Sequence, residues 1–284
     1  MTRTQSSRPS QHESKMTKGR CVICGAIGPL TRDHIPPQSV TRPQNIDIDR
    51  LISRWQGQTE GTSPRHGFRS IVLPTLCEFC NSQRLGREYD PSLARFVDRV
   101  TTWVNSAFRL SLRLPDTFVV DIQPHRVARS IVGHLLAALE RKDPTEPLRE
   151  GPMPDDMRRY FLTPESPAPE SLEIFVWPYP SDAQIISGPI GRHDLKSGHS
   201  TVGCVIKFFP LAFWLIHERP STAPINLPSL PIHTLDLNDE VPITLPLRPI
   251  PRLDFPETPS STGLVLMNNE STFAVTPRRR RPRP

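Results

Sequence analysis

Four of the five cysteines stand in two tight pairs, Cys21-Val-Ile-Cys24 and Cys77-Glu-Phe-Cys80, with 52 residues between Cys24 and Cys77. Between the pairs runs Leu30-Thr-Arg-Asp33-His34-Ile-Pro-Pro37, and Asn81 directly follows the second pair. Each Cys-x-x-Cys can bite one ion from a tight knuckle, and two knuckles close a tetrahedron at Zn–S distances of ~2.3 Å. Such an ion contributes on the order of 10 kcal/mol and becomes part of the fold. Unrelated buried cysteines would not place Gly25 and Asn81 in matching positions after the two pairs. A redox role is set aside because neither pair opens a thioredoxin-like βαβ unit. Cys204, inside the apolar run Val202 to Phe209, reads as a small core residue. Four thiolates leave zinc no open position, so any chemistry falls to Asp33, His34 and Asn81.

These residues need elements to hold them. A strand near residues 30–35 is expected, ended by Ile35-Pro36-Pro37, because a residue before proline favours extended backbone. Residues 38–70 lack a strong pattern, apart from one helical turn at Ile48–Trp55, and read as a functional or mobile loop. Ser70–Leu73 reads as a second strand, and a short helix should run from Cys80–Asn81 to about Tyr89. A new helix is predicted at Asp90-Pro91, with Asp at the cap and Pro at the first helical position. Its apolar face is Leu93, Phe96, Val97, Val100, Trp103, Val104, Ala107 and Phe108. Pro124 opens another helix, and a shorter one is expected over Asp155–Phe161. Beyond a proline-rich link at 162–170 the period changes, and Leu172–Trp177, Thr201–Phe209, Ala212–His217 and Leu264–Met267 read as strands.

The chain of 284 residues carries 34 prolines and 36% hydrophobic residues, so part of it must be loop or tail. Residues 1–18 read as a disordered basic tail and 278–284 as an Arg-rich disordered tail, on either side of a module at 19–90 and an α+β accessory region at 91–277. The net charge of +6 is uneven: +3 over residues 1–19, +3 over 20–95, five arginines from Arg278 onward, and about −5 over 96–277. A basic front and basic ends suit a polyanion; the acidic rear half does not. No apolar run approaches the ~20 residues that cross a bilayer, and the N-terminus lacks an apolar signal core. A cytoplasmic protein without membrane contact is expected, and paired cysteines in a reducing compartment agree with it.

The pattern Cys-x-x-Cys-Gly … Leu-Thr-x-Asp-His-x-Pro-Pro … Leu-Cys-x-x-Cys-Asn resembles the HNH endonuclease superfamily, in its four-cysteine, treble-clef-like branch. The resemblance covers about residues 19–90, under a third of the chain. It implies a zinc-stapled ββα module at the N-terminus; with the helical segment and β-rich region read from the periodicity beyond it, the chain is expected to be α+β. It implies His34 as general base, whose pKa near ~6.5 leaves it neutral at cellular pH. Asp33 and Asn81 match ligands of a catalytic divalent ion, Mg²⁺ or Mn²⁺, since carboxylate and amide oxygens are hard donors. Arg84 and Arg87 either hold flanking phosphates or form a solvated face. The superfamily's middle Asn falls on Val72, with His66 as a replacement, and Glu88 and Asp90 are alternative ion ligands. His125, His134, His193, His199 and His217 lack a paired acid or Cys at useful spacing and read as structural or exposed. Two functions follow: a metal-dependent nuclease cutting DNA, or RNA in second place, and a non-catalytic zinc module that binds nucleic acid or protein. Residues 91–277 are open to positioning DNA or binding a protein partner.

Overall fold

The computed structural model describes residues 17–56, 65–109, 115–138, 146–219, 225–247, 253–258 and 261–278. The tails expected at 1–18 and 278–284 lie outside these, save for Thr17, Lys18 and Arg278. Lys18 pairs with Pro29, and Arg278 Nε donates to Asp47 Oδ1 at 3.1 Å.

The chain opens with β1 (Lys18–Arg20) and β2 (Ile27–Pro29), an antiparallel pair joined by the turn that holds Cys21 and Cys24. Gly25 adopts φ +76° there, a left-handed conformation that a side chain would strain. Its N–H reaches Cys21 O at 3.0 Å. Next come β3 (Thr31–Ile35), a 3₁₀ turn at Gln38–Val40, β4 (Asn45–Arg50), α1 (Leu51–Trp55), β5 (Arg65–Phe68) and β6 (Ile71–Leu76). β3 pairs antiparallel with β6, bringing Thr31 opposite Leu76 and His34 opposite Val72. The stretch read as loose loop thus holds a β4–β5 hairpin. Its alternation, Ile46 inward between polar neighbours, is too short to stand out without the sheet that it joins.

After Cys77 the chain enters a π-helical stretch, Phe79–Tyr89, that continues into α2 (Asp90–Arg109). The predicted break at Asp90-Pro91 is absent. Asp90 is helical (φ −57°, ψ −33°), and its N–H bonds to Leu85 O. The wider π turn takes the ring of Pro91, which in an α-helix would press on the carbonyl four residues back. Asp90 does not cap; its carboxylate has partners elsewhere. The boundary expected at 90/91 therefore falls inside a continuous helix.

β7 (Thr117–Ile122), α3 (Pro124–Ala138), α4 (Pro152–Leu162), β8 (Leu172–Pro178), β9 (Gln184–Asp194), β10 (Ser200–Phe208), β11 (Leu211–His217), β12 (Val241–Pro246), β13 (Gly263–Met267) and β14 (Thr272–Pro277) complete the order. The fold is mixed α/β, with four α-helices among the described residues and a large antiparallel sheet ordered β5-β4-β14-β9-β10-β11-β8, in which β13 also pairs with β9. β7, β9, β12 and β14 are strands that the sequence pattern missed. Gly188-Pro189 and Gly191 make β9 resemble a turn, and Pro242 and Pro246 hide β12, which pairs only with β7 and so loses no ladder bond on its free side. Gly203 has a local reason: a Cβ there would come within 2.1 Å of Leu215 O, at the bulge between Gly203 and Val205.

α3 is the centre of the molecule. It is buried along almost its whole length, and the polar side chains that it buries, His125, Arg129, Ser130 and His134, each have a hydrogen-bond partner. One core joins Cys21, Leu76 and Leu85 of the front to Ile131 and Leu135 of α3 and to Phe213 and Val275 of the sheet. A second apolar cluster, including Trp177, Trp214 and Val205, fills the other face of the sheet. Among the described residues no helix is long and apolar enough to cross a membrane.

Candidate metal centre and candidate active site

The β1–β2 turn and the β6–helix junction bring Cys21, Cys24, Cys77 and Cys80 together, with all four Sγ atoms within 4.8 Å of one another. Cys24 Sγ and Cys77 Sγ are 3.7 Å apart. Four ligands at ~2.3 Å from a tetrahedral zinc stand ~3.8 Å from each other, so the cluster has the size that zinc requires. The two knuckles are tied by Val22 N–H to Thr75 O at 3.0 Å. Cys21 and Cys80 are fully buried, and Cys24 is exposed. Their ionisation is unequal. A hydrogen bond from the Cys80 thiol, with backbone N–H groups, pulls Cys21 down to about 4, while that bond and burial push Cys80 up. Burial raises Cys24 to about 11. Crowded thiols cannot all ionise unaided, and a divalent cation removes that conflict. Among the described residues this is the one group of three or more His, Cys, Asp or Glu placed to hold an ion.

Residues on either side of the second knuckle also fix β3. Asn81 Nδ2 donates to Thr31 Oγ1 at 2.9 Å and to Arg32 O at 3.2 Å, and Thr31 Oγ1 donates to Leu76 O at 2.9 Å. Asn81 therefore braces the strand that carries Asp33 and His34, and its Oδ1 accepts no hydrogen bond among the described residues. Asp33 and His34 do not share a face, as neighbours on a strand do not. Asp33 points inward, 3% exposed, and Oδ2 accepts from His134 Nδ1 at 3.1 Å. His134 Nε2 meets Asp90 Oδ1 at 3.1 Å, and Ser130 Oγ donates to the same oxygen at 2.7 Å. Burial alone would lower the His134 pKa; the two carboxylates outweigh it and raise it to about 10, so an imidazolium lies between buried Asp33 and partly buried Asp90. As placed, Asp33 does not fit an ion site shared with His34. Its charge is already neutralised, on the opposite side of β3.

His34 is half-buried and held at both ring nitrogens. Gln38 Nε2 stands 2.6 Å from Nε2, and Ser70 Oγ stands 3.1 Å from Nδ1. With the Gln38 amide nitrogen donating to Nε2, the form that satisfies both contacts carries the ring proton on Nδ1 and donates it to Ser70 Oγ. Burial lowers the His34 pKa; Asp33 works against that, while Arg32, Arg69 and His134 add to it. The ring is neutral at pH 7. No protein-family model, curated protein or solved structure matches this chain.

The remaining candidates divide. Arg84 Nη1 donates to Glu88 Oε2 at 2.8 Å and its guanidinium lies 5.3 Å from the centre of the Phe79 ring, so both Arg84 and Glu88 are occupied locally. Arg87 is exposed on the same helix. Asp90 serves His134 and Ser130. His66 lies on β5, whose side chains fall outside the described residues. Of the other histidines, His125 Nδ1 pairs with Tyr160 Oη at 2.9 Å, and His217 Nε2 with Asp156 Oδ2 at 3.2 Å. Gln38 and Ser70 belong to no motif in the sequence pattern, and His134, which reads there as structural or exposed, has Asp33 and Asp90 as partners. Gln38 stands four residues after His34, a spacing that could have marked it; 101 residues separate His134 from Asp33, and no local signal joins them.

Proposed function

We propose that the protein is an HNH-type endonuclease that hydrolyses nucleic-acid phosphodiesters, DNA in the first place, with His34 as general base. The observation that carries this reading is the setting of His34: a half-buried imidazole contacted at both ring nitrogens, by Gln38 and Ser70, on a strand braced by the residue that follows the second cysteine pair. Arg32 and Arg69 lie close enough to lower its pKa, and the same positive field attracts a phosphate. In the reaction, water replaces the Gln38 amide at Nε2 and gives its proton to that nitrogen as its oxygen attacks phosphorus. The P–O3′ bond breaks, and solvent protonates the departing oxygen. Cys21, Cys24, Cys77 and Cys80 would hold a zinc ion, which would keep the two knuckles and hence Asn81 and β3 in place. Asn81 would offer its amide oxygen to a Mg²⁺ or Mn²⁺ ion, which would offset charge on the phosphate; Asp33 would join it only by exchanging His134 for the metal.

A specific observation favours the second reading, a zinc module that binds nucleic acid or protein without cutting. Asp33 faces His134 and not the surface beside His34. Plasmid and oligonucleotide cleavage with Mg²⁺, Mn²⁺ or Ni²⁺ decides between them. The nuclease reading expects His34→Ala to lose about 10²- to 10⁴-fold in rate, and Asn81→Ala to cut poorly, both with zinc retained. Binding without cutting under all three metals would establish the second reading.

A further inference from the structure

His34 is oriented by a residue that the motif does not contain. Ser70, 1% exposed, stands at the start of β6 with Oγ 3.1 Å from His34 Nδ1. What aims Ser70 is the residue before it. Arg69 adopts φ +75°, a left-handed conformation that a residue with a Cβ seldom takes. Two hydrogen bonds hold it there: its N–H donates to Gln44 O at 3.1 Å, and its carbonyl accepts from Gln184 Nε2 at 2.9 Å. Gln184 is 4% exposed and begins β9, opposite Val275 of β14, in the middle of the large sheet. A line of contacts therefore runs from that sheet through Gln184, the Arg69 carbonyl and Ser70 to the ring of His34.

Resting on the nuclease reading, we infer that Ser70 is a positioning residue for the base, and that the rear sheet sets it through Gln184. Two tautomers are open to a neutral imidazole, and only the Nδ1–H form presents a lone pair at Nε2, where Gln38 now donates and water would replace it. With Gln38 Nε2 donating to Nε2, the Ser70 hydroxyl receives the Nδ1 proton and holds that form; without it the Nδ1–H would lack its acceptor. Gln184 keeps the hydroxyl in place at a distance of 115 residues along the chain from the Arg69 carbonyl that it bonds. This gives the C-terminal half a task in the site: it supplies the fixed surface against which the base is aimed.

The test reads the ring directly. ¹⁵N NMR of histidine-labelled, zinc-loaded full-length protein assigns the tautomer of His34 in the wild type, Ser70→Ala, Ser70→Thr and Gln184→Leu. The wild type should show the Nδ1–H form. Ser70→Ala and Gln184→Leu should show mixed tautomers, and Ser70→Thr, which keeps the hydroxyl, should restore one. In the cleavage assay kcat should fall about 10- to 100-fold in Ser70→Ala with KM unchanged, the size that outer partners of a functional histidine carry, and recover in Ser70→Thr. A wild-type ring protonated on Nε2, or a Ser70→Ala ring and kcat like those of the wild type, would overturn the inference. A change in tautomer for Ser70→Ala but none for Gln184→Leu would overturn the part assigned to the sheet. Should the wild type cut nothing, the nuclease reading fails, and the ring spectra still decide whether Ser70 orients His34.

Discussion

The charge on His134 is the energetic hinge of the inner site. It lies between Asp33 and Asp90, 1% exposed, and each carboxylate depends on it for its compensating charge. Removing one partner of such a group leaves buried charge uncompensated, which costs about 3–5 kcal/mol. His134→Ala should therefore lower unfolding stability by that amount in urea denaturation at pH 7, while the surface substitution Arg87→Ala should change little. The pH dependence has a definite sign. The folded protein holds the His134 proton more tightly than the unfolded chain, with a pKa of about 10 against 6.5. The stabilisation is present in full below about pH 6.5 and is lost as pH rises through about 10, since the folded state binds the extra proton over that window. Urea midpoints measured from pH 6 to 10 should fall with rising pH in the wild type, and the fall should flatten in His134→Gln.

At the scale of elements, α3 sets how closely the front and the sheet approach. Gly133 shows it: a Cβ there would come within 2.6 Å of a Phe161 ring carbon and 2.7 Å of a Leu85 methyl, both on fully buried side chains. The neighbours would have to shift in a filled core, so Gly133→Ala should cost about 1–3 kcal/mol, against the gain that alanine brings to an exposed helix. Calorimetry or denaturant titration of the single variant checks this. A stabilised variant would mean that α3 packs more loosely than these distances imply. The same closeness lets His134, one residue on, reach Asp33 on β3 and Asp90 on α2.

For the molecule as a whole, the metal centre and the sheet share one core, so loss of zinc should not stay local. Cys77→Ser should abolish the bound zinc, measured by elemental analysis, and lower the melting temperature of the entire chain in one transition. A second, unshifted transition would show that the sheet stands apart from the knuckles. The β4–β5 hairpin, inserted between β3 and β6, supports the single transition, because β4 pairs with β14 near the other end of the chain.

Much of the front was legible from local spacing. Two Cys-x-x-Cys pairs close a tetrahedron with few alternatives, because a knuckle needs only four residues and a glycine to form. The proline pair ended β3 where expected, and helical periodicity located α3 and α4, since burial of one stripe leaves its period in the chain. Tertiary structure alone decided the rest. Whether Asp33 faces an ion or His134 depends on which element covers the inner side of β3, and whether Ser70 or an Asn holds His34 depends on a turn fixed from β9. Partners 36, 101 and 115 residues apart leave no spacing to read. Only the packed core brings them within hydrogen-bond reach.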